Sequence, residues 1–248
     1  TDAWKNVDKV KRINSKSNAG GKNMIRSVDI VARNFNVLQE KQKNLSANTA
    51  NVSTPGFKYQ ELIQSTLPNE TAINYTEGTQ LNQRRELGNF TFGNQIDEAI
   101  IHMNQGSLQE TGIPTAYAIN GDGFFTINSP EGVLYTKNGR FTINEEGQLV
   151  TAEGYPVQTN NGNPVVTSFE GNLEGLQSVD NGYFTGAGGV VAGGNTALYQ
   201  GFLESSNIEL ADVMVEMLQI TREFEASQKV LSASNETLQK ATNEVGKV

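Results

Sequence analysis

His102 is the only histidine in the chain, and there is no cysteine. One imidazole cannot supply a multi-histidine metal centre, and its neighbours in the run Ile100-Ile101-His102-Met103 complete none. That run reads as a strand, with His102 a surface or internally satisfied side chain. A Ser-His-Asp arrangement would have to use the same imidazole, and the chain has no Gly-x-Ser-x-Gly elbow. Glu145 and Glu146 are the closest thing to a carboxylate pair. Adjacent residues on a strand point to opposite faces, so the two carboxylates do not converge. Standing before Gly147, they read as a solvated turn. Gly121-Asp122-Gly123 lacks the glycine spacing and the Lys-Ser/Thr of a phosphate loop, and reads as a tight turn. The expectation is a protein with no catalytic residue, no metal and no cofactor.

The chemistry of the whole chain is consistent with that. Its 248 residues carry a formal net charge of -8, with a pI near 4.8. An acidic chain is poorly suited to a phosphate backbone, so no nucleic-acid partner is expected. No stretch approaches the ~18 continuous apolar residues of a membrane span, so no membrane insertion is expected. Without cysteine there is no disulfide, which suits a chain that leaves the cytosol unfolded. Residues 1–23 are basic and polar, with Lys5, Lys9, Lys11, Arg12, Lys16 and Lys22, and no charged-apolar-small secretory pattern is visible. They read as an appended leader or flexible extension.

The elements that frame the chain are set by its punctuation. All six prolines lie between positions 55 and 164, and residues 24–54 and 202–245 contain neither Gly nor Pro. Both flanks therefore read as helices. In the C-terminal flank, Leu210, Met217, Phe224, Leu231, Leu238 and Val245 recur every seven residues. Val213, Ile220, Ser227, Ser234 and Ala241 follow three residues behind. This is a heptad seam whose second row shrinks to small residues. Ser206 followed by Glu209 reads as a capping box. In the N-terminal flank, Met24, Val31, Leu38, Leu45 and Val52 recur at the same spacing, with Val28 and Phe35 beginning a second row that Gln42 and Thr49 continue. That helix is expected to stop before Pro55-Gly56.

Between the flanks, turn signals follow one another. Asn120–Gly123, Ser129–Gly132, Glu145–Gly147 and Ala152–Gly154 have the spacing of a β-meander. Asn138-Gly139 reads as a hairpin turn joining 133–137 to 140–144. Residues 173–184 read as a further strand or packed loop, and 186–195, with five glycines, as a flexible connector. The fold class is α+β, with long N- and C-terminal coiled-coil-forming helices flanking a mainly-β central region of short antiparallel strands. The divisions are 24–56, 57–195 and 196–248.

Five runs in order then carry a resemblance. They are Asn44–Lys58 (containing Asn48, Asn51, Pro55, Gly56 and Phe57), Ala118–Phe125 (containing Gly121, Gly123, Phe124 and Phe125), Leu134–Phe141 (containing Asn138 and Gly139), Gly147–Thr151, and Tyr199–Asn207. Together they resemble the signature runs of the flagellar axial proteins, the rod and hook family. The short segment after Val157 resembles the rod proteins more than the hook proteins. The resemblance implies paired terminal helices in a polymer core and a β-rich outer domain. It implies copies of itself and other axial proteins as partners, and export through the flagellar secretion apparatus without a cleaved signal. It places the protein in the basal body within the cell envelope. A cell-surface binding module and a wall hydrolase are the rival readings.

Overall fold

A computed structural model describes residues 26–76, 83–169, 176–179, 182–186, 190–191 and 196–245. The leader at 1–23, Met24 of the first seam and most of the expected connector at 186–195 lie outside the described residues. Helix α1 spans Arg26–Ala50 and helix α2 spans Leu210–Val245, with short strands between them. The chain divides into two compact units. One takes residues up to 40, 64–97 and those from 220 on, and the other takes 41–63 and 98–219.

Both helices form where Gly and Pro are absent. α1 ends at Ala50, and Val52 falls in the turn that follows. The amide of Asn51 still bonds the carbonyl of Ala47, and the side-chain amide of Asn51 caps the same oxygen at 2.9 Å. Pro55 then forbids a helical Thr54, and Gly56 takes φ 70°, the left-handed region open to glycine. α2 starts three residues later than a Ser206 cap would place it. The Ser206 hydroxyl instead accepts from the amide of Ile208 in a local turn (3.3 Å), so the capping box does not form.

In the first unit, α1 meets α2 through the rings of Phe35 and Phe224, 5.4 Å apart. Beside them the amide of Asn34 donates to the hydroxyl of Ser227 at 3.0 Å, and Asn94 donates to Asn34 at 2.9 Å. The strands Asn69–Thr76 and Gln83–Thr91 pair antiparallel with an irregularity after Ala72. Residues 64–66 and 94–97, the parts of the strands Gln60–Thr66 and Asn94–Ile101 that lie in this unit, belong to a two-stranded sheet.

The second unit holds a six-stranded sheet in the order Gln177–Val179, Tyr183–Thr185, Gly132–Thr136, Gly123–Ser129, Val166–Ser168, Val190–Val191. The hairpin at Ser129–Gly132 forms as its turn residues predict. So does the short one that closes around Glu145–Gly147. Val190–Val191 is a paired strand inside the expected connector. Phe124 and Phe125, adjacent on one strand, enter different cores. Phe125 packs with Tyr117, Ile119 and Phe141, and Phe124 with Phe169, Leu176 and Phe184. This is the period-two alternation of a strand buried on both faces.

The Asn138-Gly139 hairpin is not formed. Gly132–Thr136 pairs with Gly123–Ser129 and Tyr183–Thr185, while Arg140 bridges Ala116. A type I′ turn needs positive φ at both central residues, and neither Asn138 nor Gly139 has it. Gly139 is required for another reason: a Cβ there would stand 1.6 Å from the carbonyl oxygen of Tyr117. The same dipeptide at Asn161-Gly162 does have positive φ at both residues (52° and 83°) and closes a two-residue hairpin between Thr159–Asn160 and Asn163–Pro164.

Candidate functional site

Four of the five signature runs meet at one buried point in the second unit, built on a charge cluster. After Gly56 the chain turns into an extended segment, and Phe57 and Lys58 are buried. The ammonium of Lys58 donates to Glu204 Oε1 at 2.6 Å and to the carbonyl of Asn104 at 2.8 Å, and neither charged side chain is solvent-exposed. The amide of Gly106 donates to the same carboxylate oxygen at 3.0 Å. The backbone carbonyl of Glu204 accepts from the amide of Gly56 at 2.8 Å.

A second lysine closes the cluster. Lys137 Nζ lies 4.0 Å from Glu204 Oε2, donates to the carbonyl of Gly121 at 2.7 Å and sits 5.5 Å above the ring of Phe124. Burial pushes the Lys137 ammonium below its ordinary value, and Lys58 pushes it the same way, while Glu204 and Asp122 oppose the shift. The backbones touch as closely as the charges. A Cβ on Gly56 would stand 2.4 Å from the carbonyl carbon of Lys137, and one on Gly106 would stand 1.9 Å from the oxygen of Ser205. The cluster fastens segments distant in sequence.

Neighbouring contacts extend the joint. Buried Asn48 donates to the carbonyl of Gln60 at 2.8 Å and accepts from its amide at 3.2 Å, which fixes the exit of α1. Asn207 accepts from the amide of Tyr59 and donates to the carbonyls of His102 and Asn104. Beside it, a cleft of about 260 Å³ is lined by Tyr59, His102, Asn207, Asp212 and Glu216. The Tyr59 phenol donates to Glu216 at 2.9 Å, and burial, then that carboxylate, holds it well above the ordinary phenol value. His102 follows the strand rather than lying in it, and pairs with Glu61 at 2.8 Å, half-exposed. Glu145 and Glu146 are exposed in their turn. Among the described residues no group of three His, Asp or Glu is placed to hold a metal ion, and no helix is long and apolar enough to cross a membrane.

The seam residues occupy one face of each helix. Between 211 and 240 on α2, the only positions not exposed are Val213, Met217, Ile220, Phe224, Ser227, Leu231, Ser234 and Leu238, the two rows of the heptad. Leu210 is exposed, and the side chain of Val245 lies outside the described residues. On α1, Leu38 and Leu45 are buried and Val31 is half-buried, as is Val52 beyond the helix end. The second row of α1 differs from its expected course. Gln42 is exposed, whereas Asn34, Lys41 and Asn48 turn inward. Asn34 and Asn48 do so because each finds hydrogen-bond partners there, a compensation that an apolar pattern does not reveal. Lys58, Lys137 and Glu204 are buried charged residues that motif reading passed over. The available signal was that each lies inside one of three signature runs.

Residues 118–192 match the family model described as flagellar hook protein FlgE/F/G D1 domain. Residues 199–244 match the one described as flagellar basal body rod FlgEFG protein C-terminal. The chain is 31% identical to the flagellar basal-body rod protein FlgG of Buchnera aphidicola subsp. Acyrthosiphon pisum, over 88% of this chain and 98% of that protein. It is 29% identical to FlgG of Bacillus subtilis, over 89% and 99% respectively. It is 28% identical to the flagellar basal-body rod protein FlgF of Rhizobium meliloti, over 84% and 93%. Similarity at that level over nearly the whole length, with the signature runs converging on one buried joint, places the chain: it belongs to the flagellar basal-body rod protein family.

Proposed function

We propose that this chain is a structural subunit of the flagellar basal-body rod, self-assembling with copies of itself and other axial proteins into the shaft that transmits torque. The observation that carries the reading is the near full-length match to FlgG proteins. Residues 24–56 and 196–248 form the helices of the polymer core, and 57–195 form its outer, β-rich part. The heptad seams, half-buried within the chain, keep enough apolar surface to join coiled-coil contacts with neighbouring subunits. The subunit catalyses nothing, uses no cofactor, and reaches the cell envelope through the flagellar export apparatus without a cleaved signal. A hook subunit is the second reading, favoured by the match of residues 118–192 to a domain described for the flagellar hook protein.

The test is deletion of the gene. Loss of swimming, with electron microscopy showing basal bodies arrested at the rod, is the expected result. Complete rods that lack only a hook would support the second reading, and normal motile flagella would reject both.

A further inference from the structure

Asn-Gly is the dipeptide in which an asparagine side chain is most open to attack by its own backbone, because glycine leaves the following amide nitrogen unshielded. The chain has it at Asn120-Gly121, Asn138-Gly139, Asn161-Gly162 and Asn181-Gly182. Asn181 lies outside the described residues. The other three belong to the second unit, and the fold treats them differently.

At Asn138-Gly139 nothing can turn. The Asn138 side-chain oxygen accepts from the amide of Arg140 at 3.0 Å, and its own amide donates to the Thr136 hydroxyl at 3.2 Å. The carbonyl of the buried Gly139 accepts from the amides of Tyr117 and Phe141, and a Cβ on Gly139 would strike the Tyr117 oxygen. At Asn120-Gly121 the strand ladder pairs Asn120 with Ala197. The Gly121 amide donates to Gln105, and its carbonyl accepts from the Lys137 ammonium.

Asn161-Gly162 has none of these restraints. Both residues are exposed, and a Cβ on Gly162 would meet nothing within 4 Å. Among the described residues no hydrogen bond engages the Asn161 side chain or the Gly162 amide. The hairpin they close has only the pairs Thr159↔Pro164 and Asn160↔Asn163, so its tip opens at little cost. Opening also releases Asn161 from φ 52°, a conformation that a residue with a Cβ holds at a cost.

We propose that Asn161-Gly162 is a self-modification site, where the chain deamidates and isomerises without an enzyme. The Gly162 nitrogen gives its proton to solvent and bonds to Cγ of Asn161. The Cγ–Nδ2 bond breaks, ammonia leaves, and an imide ring joins the two residues. Water then opens the ring. Addition at Cγ yields aspartate, and addition at the main-chain carbonyl yields isoaspartate, whose backbone runs through the side chain. Nothing is oxidised or reduced. Each event adds one negative charge to a chain already at -8. The change stays at the tip, because Gln158 at the hairpin base donates to the Thr126 carbonyl and accepts from the Val165 amide, both at 2.8 Å.

The full-length protein is incubated at mildly alkaline pH, folded and in denaturant, and cut on the carboxyl side of glutamate. Peptides 111–131, 132–145, 154–170 and 175–204 then carry one Asn-Gly each. Mass spectrometry reads the amide-to-acid conversion, and isoaspartyl carboxyl methyltransferase with a labelled methyl donor reads the isomerised form. In the folded protein 154–170 should convert at least about tenfold faster than 111–131 and 132–145, which must first open packed structure. In denaturant the three rates should draw together. Asn161→Gln, which would need a larger ring, should leave 154–170 unconverted. The proposal is overturned by conversion of 111–131 or 132–145 as fast as 154–170 in the folded chain. It is equally overturned if 154–170 survives folded while converting in denaturant, or if Asn161→Gln converts like wild type.

Discussion

Lys58 and Glu204, 146 positions apart in the chain, form an ion pair of 2.6 Å with no exposed side-chain surface. Removing one member of a buried pair leaves the other charge uncompensated, at about 3–5 kcal/mol. Glu204→Ala should therefore lower stability by at least that much, because Lys58 and Lys137 both lose their counter-charge. Replacing the set with apolar side chains (Lys58→Met, Lys137→Met, Glu204→Leu) should recover most of the loss, since such exchanges are often neutral. Denaturant unfolding of the two variants measures this. Equal destabilisation of both would show that the cluster contributes little through its charge.

The glycines of the signature runs separate into two kinds. Gly139 has an ordinary φ but would place a Cβ 1.6 Å from the Tyr117 oxygen, whereas Gly147 has φ 79° and open space around it. Gly147→Ala should cost only the left-handed backbone term, about 1–2 kcal/mol. Gly139→Ala must move a strand and should cost at least about 1–3 kcal/mol, with altered near-ultraviolet circular dichroism from the adjoining Tyr117, Phe125 and Phe141 cluster. An unchanged aromatic spectrum for Gly139→Ala would contradict the close approach.

Leu231 lies on the seam face of α2, and Ser232 beside it is exposed. Burying a leucine is worth roughly 1.5–3 kcal/mol, and an ionised carboxylate in its place adds an unpaired charge. Leu231→Asp is expected to block incorporation into basal bodies while the six-stranded sheet keeps its thermal transition. Ser232→Asp should be incorporated normally. Comparable incorporation of the two would remove the seam from the account of assembly.

The acid side of the stability profile has an identifiable contributor. Tyr183 donates a short hydrogen bond to Glu153. Burial alone would raise the Glu153 carboxyl, but the Tyr183 bond and the backbone and Thr151 bonds outweigh it, so it lies below its ordinary value of 4.5. A carboxylate depressed in the folded state stabilises fully above its unfolded value and loses that contribution as pH falls through the folded one. Glu153→Gln should therefore melt lower than wild type at pH 7, and the gap should close below about pH 4.5 as the wild-type carboxyl protonates. A gap independent of pH would place the effect in packing.

How much of this was legible depends on the physical scale of each signal. The less exposed face of α2 between 211 and 240 was legible, because a heptad repeat reports burial along a single helix, whereas Leu210 at its start is exposed. The turns at Ser129–Gly132 and Glu145–Gly147 were legible because they are local. Asn138-Gly139 misled because the dipeptide permits a turn without compelling one; here the backbone of Tyr117 claims Gly139. The inward Asn34 and Asn48 were hidden because their satisfaction depends on Ser227, Asn94 and Gln60, whose proximity is tertiary. The Lys58–Glu204–Lys137 cluster was hidden for the same reason: each residue alone looks like an ordinary surface charge.

The division of Phe124 and Phe125 between two cores bears on strand register. In many sheets a one-residue slip trades a buried face for a solvated one and leaves a strand that can wait and correct itself. Here both faces are filled, Phe124 against Phe169 and Phe184 on one side and Phe125 against Phe141 on the other. A slip would put Thr126 where Phe125 belongs and Phe125 where Phe124 belongs, so one of the two aromatic pockets loses its ring. Every misregistered pairing of this strand therefore gives up an aromatic contact on at least one face, and the two cores together set the register of the central sheet.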